Sequence, residues 1–471
     1  MKAQGPRRRQ NVAFKFGRRF PVGFALSFVI AAFVTLAASA HDAPRPNVLL
    51  FVTDDQRWDA LGCMNNPVIQ TPNVDRLAAD GALFTNAFCT TSICMTSRAS
   101  FITGQYERRH GIDSFGVPLD STAFENTFPQ VMRGAGYRIG FVGKWGLGGT
   151  LPKKDYDFWA GFGGQGKFYE EGDPVHLTRK LGDAALKFLD GCSAEQPFCL
   201  QVSFKAAHVQ DGKSWPFPAD TKYDQLYAGV PVPRAATANN TAFDALPSFL
   251  KSSIAKERWY VRFATPELFE QSVRDYYRLI TGVDHIVGEA IDKLRAKGLG
   301  HNTVIIFTSD NGFYLGEHGL AGKWFMHEES IRLPLVIYDP RAASERRGVK
   351  VDKLVLNIDV APTILRFAGL DVPQSMQGRS LVELCQGENP PWRTDFLYEH
   401  RFKHPKIPTT EGVRTTRWKY IRYTSVEPIR EELFDLHNDP LEQRDLADSR
   451  RHIGVLQRLR KRWVELAHKA E

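Results

Sequence analysis

The chain has 471 residues, 43% hydrophobic and 24% charged, with a formal net charge of +8. That length suits one large α/β domain with a smaller partner, and the absence of a fixed-period repeat excludes solenoids and propellers. Seven of the positive charges lie in residues 1–40, which hold no Asp or Glu, so the remainder is near neutral at +1 and nucleic acid is not an expected partner.

The first forty residues read as a secretory signal. A basic stretch precedes an apolar run from Val22 to Ala37, and Ala38-Ser39-Ala40 forms a small-x-small cleavage site before His41. The expectation is an exported protein, periplasmic or secreted, cleaved near Ala40 and without a stable membrane partner. Six cysteines in such a chain would ordinarily suggest disulfides, and Cys192 and Cys199 are close enough in sequence to pair around a turn.

The body opens with Asn47–Val52, a continuous apolar run ending at Thr53-Asp54-Asp55. Such a run predicts a strand buried on both faces of a parallel sheet. Further strands are expected at Tyr137–Val142, Phe198–Phe204, Val304–Phe307 and Leu335–Tyr338. Residues 211–270 are rich in Pro, Ala and Asn and read as a long irregular excursion near the site mouth. An amphipathic helix follows, with Ile280, Val283, Ile286, Val287, Ala290, Ile291 and Leu294 on one face and Gly298 placed to stop it. The strand after it ends at Thr308-Ser309-Asp310-Asn311-Gly312. Helix, buried strand and acidic loop in that order predict an open α/β sheet whose ligands gather at the carboxyl ends of its strands.

Past Gly387 the texture changes. Phe396–Glu399, Gly412–Thr415 and Trp418–Tyr423 read as short antiparallel strands and Ile453–His468 as a closing helix. The expected organisation is a signal over 1–40, a catalytic domain over 41–386 and an α+β subdomain over 387–471.

Two acidic pairs carry the first chemical signal. Asp54-Asp55 and Asp310-Asn311 each stand where a buried strand ends. Three carboxylates and an amide carbonyl converging there would make an all-oxygen site suited to Ca2+ or Mg2+ rather than zinc. The second signal is Cys94-Met95-Thr96-Ser97-Arg98 opening a helix. A cysteine at a helix N-terminus beside an arginine is expected to be a low-pKa thiol.

These residues resemble the formylglycine-dependent (type I) sulfatase family of the alkaline-phosphatase-like superfamily, from about Asn47 to Arg450. Thr71-Pro72-Asn73-Val74-Asp75-Arg76-Leu77, with Gly81 and Phe84, is similar to that family's lead-in. Cys94 to Arg98, followed by Thr103-Gly104, is similar to its signature, with Thr96 where proline is commonest. The resemblance implies an alkaline-phosphatase-like fold: a large, mostly parallel sheet between helices, with a small C-terminal antiparallel sheet. It implies a sulfatase that binds one Ca2+ through Asp54, Asp55, Asp310, Asn311 and residue 94. Cys94 would be oxidised to formylglycine by a maturation enzyme, and the hydrated aldehyde would attack sulfur and then expel sulfate.

The same resemblance implies that Arg98 holds the nucleophile and a metal carboxylate. Lys144 and Lys323 would bind sulfate oxygens, and His208 would protonate the leaving alcohol. The substrate class it implies is a sulfated small molecule or glycan, with Tyr398-Glu399-His400-Arg401 either lining the sugar site or lying on an edge strand.

One departure stands out. The family's lysine-tryptophan-histidine motif reads Lys144-Trp145-Gly146 here, leaving His110 and His318 as replacements on sequence grounds. Two other readings stay open: a phosphodiester or phosphonate monoester hydrolase of the same superfamily, and a glycan-binding protein that has lost catalysis.

Overall fold

The computed structural model describes Ala13, residues 45–212 and residues 215–471. Apart from Ala13, the leader lies outside the described residues, as does its cleavage site.

Eight strands form the main sheet. In chain order they are β1 (Asn47–Thr53), β2 (Ala82–Phe84), β3 (Arg138–Lys144), β4 (Phe158–Phe162), β5 (Phe198–Ser203), β6 (Thr303–Ser309), β7 (Leu335–Tyr338) and β8 (Val349–Val351). Their spatial order is β8-β2-β7-β6-β1-β5-β3-β4. Five neighbours, β6-β1-β5-β3-β4, run parallel, and β7 runs antiparallel to both β6 and β2. The fold is thus a mixed, mostly parallel sheet, as the apolar strand runs predict.

The central strands are continuously apolar because both their faces are covered. Val48, Leu50 and Val52 enter one core with Val304 and Ile306. Leu49 and Phe51 enter the other with Ile305 and Phe307. Each such side chain contributes roughly 1.5–3 kcal/mol of burial, which also locks the register, since a one-residue slip would exchange the two faces.

Helices α1 (Pro72–Asp80), α3 (Leu177–Asp190) and α5 (Pro266–Ala296) supply Val74, Leu181, Ile280 and Val283 to the second core. Helices α2 (Cys94–Thr103) and α6 (Val360–Phe367) supply Ala99, Phe101 and Ile364 to the first. Helix α5 is 31 residues long and begins much earlier than its sequence pattern suggests. The excursion before it is less irregular than expected, because it carries short helices, among them α4 (Ile254–Arg262).

The C-terminal part is a four-stranded antiparallel sheet of β9 (Asp395–His400), β10 (Thr410–Thr415), β11 (Trp418–Tyr423) and β12 (Arg430–Asp435), closed by α7 (Ile453–Ala470). The sequence reading missed β12, whose Arg430-Glu431-Glu432 opening hides its apolar residues. Strand β9 is the edge of this sheet, and its Glu399 N–H donates to Thr90 O at 3.0 Å, tying it to the approach to α2. Phe396 and Ile421 join the first core, so the small sheet and the large one share it.

No cysteine is paired. The turn pairing expected for Cys192 and Cys199 does not occur: Cys192 donates instead to Phe188 O at 3.3 Å, while Cys199 faces the apolar interior.

Candidate active site

The register of β1 on β6 builds the site. Thr53 is paired with Ser309, so Asp54 and Asp310 follow at matching positions, and Asp310 N–H donates to Thr53 O at 3.1 Å. Strand β5 ends level with them, since Ser203 pairs with Val52, and the loop after it carries His208. Strand β3 pairs Gly143 with Ser203, which delivers Lys144 to the same edge. Four parallel strands therefore present their carboxyl ends together, where an open α/β sheet gathers its ligands.

Ligand atoms of Asp54, Asp55 and Asp310 lie within 4.8 Å of one another, and so do those of Asp54, Cys94 and His208. Asn311 Nδ2 donates to Asp55 Oδ1 at 2.6 Å and to Gly312 O at 2.8 Å. Its Oδ1, like Asp54 Oδ1, is buried without a hydrogen-bond partner among the described residues, although Lys323 Nζ stands 3.8 Å from Asp54 Oδ1. Two orphaned oxygens beside three carboxylates fit a hard cation that takes oxygen ligands, and they account for buried acceptors that would otherwise be costly.

Cys94 opens α2. Thr96, third in the helix, needs no intrahelical N–H partner there, which explains why proline is compatible with that position. Its hydroxyl instead donates to Ile112 O at 2.8 Å. Ser97 Oγ donates to Asp310 O and accepts from Asn357 Nδ2 at 2.9 Å. Arg98, one turn on from Cys94, bridges the strand tips: Nε reaches Asp310 Oδ2 at 3.0 Å, Nη2 reaches Asp54 Oδ2 at 3.1 Å and Nη1 reaches Lys144 O at 3.0 Å.

Lys144 Nζ donates to Asp54 Oδ2 at 2.6 Å and to Gln165 Oε1 at 2.7 Å. Lys323 Nζ donates to Asp55 Oδ1 and stands 3.0 Å from Cys94 Sγ. His208 Nδ1 donates to Val209 O at 2.7 Å, so the neutral ring presents Nε2 to the site, 3.7 Å from Asp55 Oδ2. All nine residues singled out for metal and catalysis thus meet at one edge.

Electrostatics divides the carboxylates. Burial would raise Asp54, but Lys144, His208, Arg98 and Lys323 together hold it well below the usual range. Burial raises Asp55 despite Lys323. Asp310 is raised to about 6 by burial and by Asp54, against Arg98. The two neighbours in sequence therefore shift oppositely; the division is physical, because Lys144 and Arg98 both address Asp54 and not Asp55.

The thiol corrects an expectation. Burial, with Asp54 close by, pushes Cys94 up rather than down, against the helix terminus and nearby lysines. Burial likewise holds His208 well below its ordinary value.

Neither replacement suggested for the missing histidine belongs to the clusters that gather on Asp54. His110 uses both ring nitrogens locally, Nε2 with Ser100 Oγ at 3.0 Å and Nδ1 accepting from Ile112 N–H at 3.1 Å. His318 stacks on His327 with ring centroids 4.9 Å apart. Tyr398, Glu399 and His400 are fully buried, so they do not line an open sugar site.

Sequence reasoning missed two groups, Gln165 and Lys205. Gln165 sits in a glycine-rich loop with no local signal. Lys205, just ahead of His208, is pulled to about 8 by burial and by Lys144, and donates to Val209 O at 3.1 Å. Tyr398, named from the sequence as a sugar-site or edge-strand residue, lies on the edge strand β9 and donates to Trp324 O at 2.7 Å, linking the small sheet to the Lys323 loop.

A mostly parallel sheet with buried carboxylates and a cysteine at its strand tips defines a hydrolase of the alkaline-phosphatase-like class. A family model described as Sulfatase matches residues 46–370, and one described as N-sulphoglucosamine sulphohydrolase, C-terminal, matches residues 316–469. The chain belongs to the sulfatase family, and is a type I sulfatase, an enzyme of sulfuric ester hydrolysis. It is 28% identical to an N-acetylglucosamine-6-O-sulfatase of Bacteroides thetaiotaomicron, over 88% of this chain and 86% of that one.

Among solved structures it resembles one in complex with its substrate D-glucosamine-2-N,6-O-disulfate, with a TM-score of 0.77 and 25% identity. That match covers 90% of this chain and 98% of the other. It also shares the fold of a phosphonate monoester hydrolase of Agrobacterium radiobacter, with a TM-score of 0.76 and 23% identity over 91% of this chain and 96% of that one.

Proposed function

We propose that the chain releases inorganic sulfate from a sulfated carbohydrate, using a formylglycine made from Cys94 and one bound Ca2+. The observation that carries this reading is the meeting of Cys94 with the tips of β1 and β6, under Lys323 and beside His208.

Asp54, Asp55, Asp310 and Asn311 would hold the cation together with residue 94. Bound there, Ca2+ supplies Lewis-acid polarisation of a sulfate oxygen and a lower pKa for the attacking hydroxyl. Formylglycine supplies a hydrated aldehyde, whose second hydroxyl allows sulfate to be released rather than retained as a stable ester.

The remaining work belongs to side chains already in place. Lys144 and Lys323 set two ammonium groups against charge developing on sulfate oxygens, in a buried site where such contacts are strongest. Arg98 holds the two strand tips in register with α2. His208 Nε2 would deliver a proton to the leaving alcohol oxygen once the ring is protonated; burial, Lys323, Lys144 and Lys205 hold its pKa down against Asp54, and an entering sulfate anion adds to the pull of Asp54.

A sulfated glycan as substrate rests on the Bacteroides relative and on the glucosamine disulfate complex. Export to the periplasm or outside rests on the leader; no helix among the described residues is long and apolar enough to cross a membrane. Maturation would require a formylglycine-generating enzyme as partner. The division into a catalytic part and a C-terminal α+β part at residue 387 rests on the break between the two sheets.

Two measurements test the reading. Peptide mass spectrometry across Cys94 should find a loss of about 18 mass units, the difference between cysteine and formylglycine. Sulfate release from N-acetylglucosamine-6-sulfate should exceed release from matched phosphate and phosphonate esters. An unmodified thiol from cells with a competent maturation enzyme, and no released sulfate, would leave only glycan binding. Faster phosphonate cleavage would assign the chain to the other chemistry.

A further inference from the structure

Helix α4 meets the continuation of three site loops. Asp211, three residues past His208, accepts from Arg258 Nη2 at 3.1 Å and from Arg262 Nη2 at 2.9 Å. The Arg258 guanidinium lies 4.9 Å from the ring of Trp324, the residue after Lys323. That of Arg262 lies 5.9 Å from the ring of Phe313, two residues past Asn311. The basic pair on one helix thus touches the loops that carry His208, Lys323 and Asn311.

This pair is underused where it stands. Arg262 is only 2% exposed, yet its Nε and Nη1 have no partner among the described residues. Donors buried that way forfeit their hydration without compensation. Two guanidiniums share one carboxylate, which leaves one positive charge in excess beside the site. Burial and Arg258 pull Arg262 down to about 10, while Asp211 and Asp55 hold it up; the field of the site reaches this side chain. A planar guanidinium with free N–H groups matches an oxyanion in fork geometry.

From this geometry we infer that Arg258 and Arg262, spaced by Asp211, form a second oxyanion position next to the sulfate-ester site. It takes a second acidic group of the same substrate, a sulfate or a carboxylate. The inference rests on the sulfated-carbohydrate reading above and narrows it to substrates that carry two negative groups.

The test is calorimetric titration of calcium-loaded Cys94→Ser protein, which separates binding from turnover. The probes are N-acetylglucosamine-6-sulfate, D-glucosamine-2-N,6-O-disulfate and a monosulfated disaccharide bearing a uronate carboxylate. At least one doubly charged probe should bind about tenfold more tightly than the monosulfate, and which one does separates sulfate from carboxylate.

Arg258→Met and Arg262→Lys should each erase most of that margin and leave monosulfate affinity within about twofold. Thermal melts verify folding. Arg258, whose side chain is 24% exposed, carries the test should the buried position fail to fold. Equal affinity for all three probes, no binding of any, or equal weakening of every probe in the variants would overturn the inference. Failure of the sulfatase reading shows elsewhere, as unsubstituted protein that keeps the binding margin but releases no sulfate.

Discussion

A Cβ placed on Gly146 would stand 2.5 Å from Arg98 Cδ, and Gly146 has φ +80°. The arginine that ties the strand tips together thus occupies the space into which a side chain at 146 would project. The glycine at this position and the course of Arg98 are two sides of one packing arrangement.

Gly146→His is therefore expected to damage the enzyme rather than restore a family feature. The left-handed backbone alone costs a residue with a Cβ about 1–2 kcal/mol, and displacing Arg98 loosens both strand tips. A fall in Tm accompanied by lower sulfate release should result, with Gly146→Ala showing the smaller form of both. A histidine variant more active than the parent would refute this account.

Arg98→Lys should be severe despite keeping the charge. One ammonium cannot span Asp310 Oδ2, Asp54 Oδ2 and Lys144 O at once. Uncompensated buried carboxylates should cost about 3 kcal/mol, and kcat/KM should drop about 100-fold. Urea denaturation and sulfate-release kinetics measure the two effects.

Chelation should lower Tm as well as activity, because buried Asp54 Oδ1 and Asn311 Oδ1 lack hydrogen-bond partners among the described residues without a cation. At a free ion concentration a hundred times Kd, binding adds about 2.7 kcal/mol to stability. Scanning calorimetry with and without Ca2+ reads this directly. A Tm indifferent to calcium at millimolar levels would count against the site.

Stability should also respond to pH far from the site. Burial raises Glu432 to about 7, although Tyr423 Oη donates to it at 2.7 Å. The folded state then holds a proton that the unfolded chain releases near its ordinary pKa. Stability is accordingly full below about pH 4.5 and declines as pH rises toward 7, by at most on the order of 3 kcal/mol. Glu432→Gln keeps the acceptor for Tyr423 and should flatten that slope in denaturation curves taken from pH 4.5 to 8. An unchanged slope would show that Glu432 is not its source.

Much of the fold was legible because it rests on local pattern. The run Val48 to Val52 could be read as doubly buried, and the Ile280 to Leu294 stripe as a helix, since each pattern reports the faces it must cover. The start of α5 was obscured because its first turns are polar and partly exposed. Strand β12 was hidden by its acidic opening, whose Glu432 is buried only because Tyr423 and neighbouring strands surround it.

At the site, residue types at strand ends and at the helix start were readable, while their state of charge was not. The thiol of Cys94 looked activated from its neighbours in sequence. Its burial beside Asp54 reverses that, and burial is a property of the whole fold. Gln165 gave no signal at all, and neither did the contact of Tyr398 with Trp324 O, since each partner lies on another segment of the chain.

The order of residues by itself determined the strand runs, the acidic tips and the cysteine-to-arginine segment, because these depend on side chains a few positions apart. Only the tertiary structure decided that Thr53 pairs with Ser309, which lysine faces which carboxylate, and why no side chain fits at position 146. Those outcomes depend on distances between segments far apart in the chain, and only close packing settles such distances.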